Sequence, residues 1–225
     1  MSAWTMTDLR IGRWSALAIF VIGVVYVLTG AAGLVLTRDV ARRDPLQQVD
    51  PYLATLELLI ILAAIFMVVM MGAVHAYAPR EAKTYSLVAL GFMLLMAVVT
   101  ISVHFVQLTV VRRIEFAGAP PLSRIFFTEW PSVMFALDLL AWDLFLGLSL
   151  LCAAQVFKGA GLLVPVRVSM ILSGVLCLAG LIGPASGDLR FQILGIIGYA
   201  GVFPVACLLL ARCFARLAVS EGEID

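Results

Sequence analysis

Charge is scarce in this sequence. Lysine and arginine number 15 and aspartate and glutamate 14, together 13% of 225 residues. A water-soluble domain carries about 25% charged residues, so a soluble fold is excluded. The formal net charge is only +1. That excludes a nucleic-acid binder, which needs a dense basic face. Histidine occurs twice, as His75 and His104. Cysteine occurs four times, as Cys152, Cys177, Cys207 and Cys213, always in or beside an apolar stretch and never as C-x-x-C. These read as small buried hydrophobes rather than a redox or metal pair. Also missing are a nucleophile elbow, a glycine-rich phosphate loop, H-E-x-x-H and an ATP-binding motif.

What fills the chain instead is hydrophobic: 63% of residues, with a mean hydropathy of +1.10. A run of about 20 apolar residues crosses a bilayer as a helix. Six such runs predict an all-α, polytopic transmembrane helix bundle in one domain, with spans at about 14–36, 52–76, 85–111, 131–157, 165–183 and 191–211. The first run follows Arg10 and Arg13 and is too long for a secretory signal, so it reads as an uncleaved first helix. Trp4, Leu9, Ile11 and Trp14 ahead of it suit a membrane interface.

The connectors are charged or rich in Pro and Gly. The longest, Arg112–Trp130, holds Pro120-Pro121 together with Phe116, Phe126, Phe127 and Trp130. The proline pair forbids a helix across it, and the aromatics predict a segment folded onto the outer membrane surface. An even number of spans puts both termini on one side. With that side cytoplasmic, it carries eight basic residues (Arg10, Arg13, Arg80, Lys83, Lys158, Arg167, Arg212, Arg216) against seven opposite. The short turns fall on the same side. Both features point to cytoplasmic termini. Gly174, Gly180 and Gly183 in the fifth run, and Gly195, Gly198 and Gly201 in the sixth, predict closely packed backbones. Pro204 predicts a kink.

A few ionisable residues lie inside the spans, where each needs a partner or a cavity. Glu57 is about two turns into the second span. Thr100, His104 and Gln107 share one face of the third by their spacing of four and three. Asp138, Trp142 and Asp143 follow in the fourth. At ~1.5 Å rise per residue, Glu57 lies about 7 to 8 Å deep, and His104 and Asp138 about 10 Å. Consecutive antiparallel helices are usually neighbours, so these three groups can meet. The depths make His104–Asp138 the strongest expected link. Asp143 is five residues after Asp138, about 140° further round a regular helix, and so points elsewhere. Trp142 walls the Asp138 pocket or packs against lipid.

Histidine beside carboxylates can move protons, and these residue types also ligate metals. A single histidine at this level disfavours a metal site, and no cofactor is expected. The plainer reading is a satisfied hydrogen-bond network that fixes helix register. Ser102, Ser149, Ser169 and Ser173 read as bonded to their own helices rather than catalytic. Met67, Met70 and Met71 read as packing residues rather than copper ligands.

From Tyr85 onward the chain resembles a family. The stretches are His104-Phe105-Val106-Gln107-Leu108-Thr109-Val110-Val111-Arg112, Ala136-Leu137-Asp138, Gly147-Leu148-Ser149-Leu150-Leu151, Phe157-Lys158-Gly159-Ala160-Gly161-Leu162 and Val202-Phe203-Pro204-Val205-Ala206. Together they resemble bacterial integral membrane proteins of about six spans grouped as a domain of unknown function. The resemblance implies the six-span architecture and a bacterial inner-membrane location, and assigns no catalytic residue.

Three functions compete. The first is a non-catalytic integral membrane protein that binds a lipid, another small hydrophobic molecule or a membrane-protein partner. It accounts for the missing motifs. The second is an intramembrane enzyme on a lipid-like substrate, with Glu57, His104 and Asp138 as acid–base groups. The third is a small proton-coupled transporter, disfavoured because one half of the chain does not repeat the other.

Overall fold

A computed structural model describes residues 4–36, 51–111, 125–126 and 130–222. The described residues form helices and turns with no strand, and six helices are long and apolar enough to cross a membrane. They are α1 (Met6–Leu36), α2 (Tyr52–Tyr77), α3 (Lys83–Thr109), α4 (Val133–Ala153), α5 (Leu163–Gly180) and α6 (Leu189–Gly222). Each helix packs on the next, and α6 returns to α1, so the chain closes a ring in sequence order. This is an all-α, six-helix membrane bundle.

α1 begins eight residues earlier than the hydropathy run implies. The cause is a reciprocal cap: Asp8 accepts from the Thr5 backbone N–H at 2.7 Å, and the Asp8 N–H donates to Thr5 Oγ1 at 3.3 Å. Such a pair satisfies amides that a helix start leaves open. Leu9 consequently turns into the core rather than lying at the interface. Trp4 meets Tyr77, which also contacts Phe157 and Phe214. This aromatic cluster fills the end of the bundle where both termini lie.

At α4, Ser132 Oγ accepts from the Phe135 N–H and caps the helix. The α5–α6 turn is held by Asp188, which accepts from the Arg190 N–H at 3.0 Å and pairs with its guanidinium at 2.7 Å. That guanidinium holds the exposed Asp188 carboxyl below its ordinary range. The surface segment expected at Arg112–Trp130 lies outside the described residues, except for positions 125–126 and 130.

Glycine sets the tightest helix contacts. A methyl at Gly174 would stand 2.8 Å from the Gly147 carbonyl oxygen, and one at Gly180 would stand 2.8 Å from Gly195 Cα. A methyl at Gly201 would meet only Ile197 Cγ2, at 3.9 Å, so the close seam stops at Gly198. α6 is not uniform. It opens as a 3₁₀ turn, Leu189–Gln192, and widens to π geometry at Ile197–Val202 before its last stretch, Phe203–Gly222. Pro204 supplies the reason: it has no N–H to give Ala200, and its ring crowds that carbonyl. α4 has a matching π segment at Leu140–Phe145.

These contacts predict opposite effects of two glycine substitutions. Gly174→Ala should destabilise the bundle by about 1–3 kcal/mol, because the obstruction is backbone. Gly91→Ala, exposed in α3 with nothing within 4 Å, should stabilise it by about 0.5–1 kcal/mol. Unfolding of the purified protein in mixed micelles measures both. Equal effects would contradict the close α4–α5 contact.

Candidate functional site

The polar residues of α2, α3 and α4 meet around His104. Its Nδ1 is 2.5 Å from Glu57 Oε2, a hydrogen bond between helices adjacent in the ring. Its Nε2 faces Asp138 Oδ1 at 3.4 Å, without hydrogen-bond geometry. The order of the links therefore differs from the depth estimate. Glu57 makes the close bond, and Asp138 is the looser neighbour. Depth is one coordinate, while side-chain reach is another: glutamate is one methylene longer than aspartate and spans the gap to the ring. The imidazole is buried, and so is most of Glu57. The Asp138 side chain is 33% exposed, although its Oδ1 is not. Its exposure thus falls on the side away from His104.

That side faces a cavity of about 200 Å³. α1 supplies Ile19, Ile22, Gly23, Tyr26 and Val27; α2 supplies Leu59, Ile60, Ala63 and Met67. α4 contributes Asp138 and Trp142, and α6 contributes Tyr199, Ala200, Phe203 and Pro204. The walls are largely apolar. Val27 is 61% exposed, so the lining reaches the outer surface of the bundle along α1. Trp142 and Tyr199 sit in the two π segments, and their ring centroids are 5.4 Å apart. π segments recur at functional sites. Here both deliver an aromatic ring to one cavity wall.

The remaining expected residues divide. Thr100, His104 and Gln107 are all buried, as one face of α3 requires. They do not share a site. Thr100 Oγ1 donates to Met96 Sδ at 3.4 Å, and Gln107 Nε2 donates to the Phe126 carbonyl at 2.7 Å. Trp142 and Asp138 share the cavity. Asp143 points away from it, towards α5 and α6. It is completely buried, with an oxygen lodged against Gly180 and Gly195 so closely that a methyl at Gly195 would overlap it. Neither of its oxygens has a hydrogen-bond partner among the described residues, and the same holds for the side chain of nearby Gln192.

His75 lies far from this centre and bonds Ser86 Oγ at 2.8 Å. Ser102 and Ser169 donate to carbonyls of their own helices. Ser149 and Ser173 reach across instead, to the carbonyls of Ala89 and Gly198. Met67, Met70 and Met71 are fully buried packing residues. Among the described residues, no group of three His, Cys, Asp or Glu gathers about a point where a metal ion could sit. Glu57, His104 and Asp138 form a row.

Tyr26, Tyr199 and Gln192 escaped the sequence reading. Tyrosine in a span is ambiguous, since it suits interfaces as well as cavities. The available signal was spacing: Tyr199 follows Gly195 by four, on the face of α6 that approaches its neighbours.

The geometry ranks two substitutions. Glu57→Leu leaves a buried imidazole nitrogen without a partner and should cost about 1–3 kcal/mol. Asp138→Asn removes no hydrogen bond and should cost under about 1 kcal/mol. Chemical unfolding in micelles compares them. A larger loss for Asp138→Asn would contradict the order of the links.

Comparison with protein-family models, with curated proteins and with solved structures returned no match.

Proposed function

We propose that this chain is a multi-pass protein of a bacterial inner membrane, with both termini cytoplasmic, that takes a small amphipathic molecule from the bilayer into its central cavity. The cavity carries this reading. Binding sites are concave and mostly apolar, with a few placed polar groups. Here the walls are Ile, Leu, Met and Phe, and the polar groups are Asp138, Tyr26 and Tyr199. Exposed Val27 at its edge gives a route from hydrocarbon rather than from water. Lipids and other small hydrophobic molecules that carry a polar head fit this description. The weak bias of basic residues and the short turns support the orientation, and the family resemblance supports the location.

One observation favours a second reading, acid–base chemistry on a lipid-like substrate. Glu57 fixes the His104 ring through Nδ1, which leaves Nε2 directed at Asp138, and Asp138 borders the cavity. A proton could pass along that row to a bound molecule. Transport has the least support, because aromatic side chains fill the terminal end of the bundle.

Filling the cavity tests the binding reading. Native mass spectrometry of protein released from lipid nanodiscs should find one retained amphiphile on the wild type. Ala63→Trp and Gly23→Leu, which project bulk into the cavity from α2 and α1, should both lose it while remaining monodisperse and helical. Retention in both filled variants would place the amphiphile elsewhere and remove this function.

A further inference from the structure

The charge around the cavity is unbalanced. Glu57 and Asp138 flank a single imidazole. With both carboxylates ionised and the imidazole carrying a proton, the three groups still sum to one negative charge. The imidazole is bonded to Glu57 and lies 3.4 Å from Asp138, so it cannot balance both carboxylates, and Asp138 is the member through which the surplus reaches the cavity. Neither lysine nor arginine is among the cavity-lining residues. Negative charge in an apolar wall is costly unless a positive charge stands near it.

Aromatic rings are the second feature. Tyr26, Trp142 and Tyr199 come from three helices to line the same space as Asp138. Electron-rich ring faces attract cations, and tryptophan does so most strongly. Sets of such rings hold quaternary ammonium groups, which need no hydrogen-bond acceptor. The apolar remainder of the lining, including Met67 and Phe203, suits a hydrocarbon tail.

We propose that the cavity selects organic cations: a quaternary or tertiary ammonium head held beside Asp138 by Trp142, Tyr199 and Tyr26, with an apolar chain along the walls. This names the ligand class of the cavity and rests on the binding reading above. An anionic head would meet the Asp138 carboxylate. A neutral head would leave that charge unmatched. The cation balances it and gains the ring faces as well.

Two probes of equal chain length separate the claims: dodecyltrimethylammonium, a cation, and dodecyldimethylamine N-oxide, which is net neutral. Equilibrium dialysis against the protein in nanodiscs, with empty nanodiscs subtracted, gives both affinities. The wild type should bind the cation at least about tenfold more tightly, equivalent to about 1.4 kcal/mol. Asp138→Asn should cut that preference severalfold, leaving the part that the rings supply. Trp142→Leu should reduce the preference through the ring alone, with all charges kept. Equal binding of both probes by the wild type, lost from both in Ala63→Trp, would overturn cation selectivity and leave the cavity reading intact. Binding of neither probe, or binding that Ala63→Trp leaves untouched, would overturn both.

Discussion

Hydrocarbon offers no hydrogen-bond partner, so a polar side chain in this bundle costs least when it is answered from another helix or from its own backbone. The Glu57–His104 bond is where that requirement acts most strongly. It ties α2 to α3 and fixes which imidazole nitrogen faces α4. Weaker links repeat the pattern around the ring. Ser149 bonds the Ala89 carbonyl between α4 and α3, and Ser173 bonds that of Gly198 between α5 and α6. Glycines then set how near α5 can approach α4 and α6. Consecutive helices are thereby held edge to edge, and a ring built this way leaves space at its middle.

The two ends of that space are treated differently. Trp4, Tyr77, Phe157 and Phe214 fill the terminal end. Towards the other end, the π segments of α4 and α6 break the regular helical register. Trp142 and Tyr199 are carried to one wall, with Asp138 a turn away from Trp142. A bundle closed at one end and hollow beside a buried hydrogen-bonded pair has the form of a receptacle. A continuous pore would need both ends open.

Much of this was legible in the sequence, because hydropathy and turn chemistry act locally. The six helices, the face shared by Thr100, His104 and Gln107, and the common level of Glu57, His104 and Asp138 all follow from rise and period. Three things did not follow. The start of α1 is set by a Thr5–Asp8 cap lying in a polar stretch that hydropathy discounts. The choice of Glu57 over Asp138 as the close partner of His104 depends on side-chain length, which a depth estimate ignores. The cavity depends on π turns that no periodicity announces. Pro204 signalled a local disturbance in α6, but α4 has no proline within Leu140–Phe145 to give the same warning.

The most direct measurement is to map where a membrane-dissolved amphiphile touches the protein. A single-chain amphiphile bearing a diazirine near its head can be photolysed in nanodiscs and its adducts located by peptide mass spectrometry. The account predicts adducts concentrated on Trp142, Tyr199 and the α2 segment around Ala63, and competed away by unlabelled amphiphile. Adducts confined to lipid-facing positions such as Leu94 and Val98, in proportion to their exposure and without competition, would contradict it.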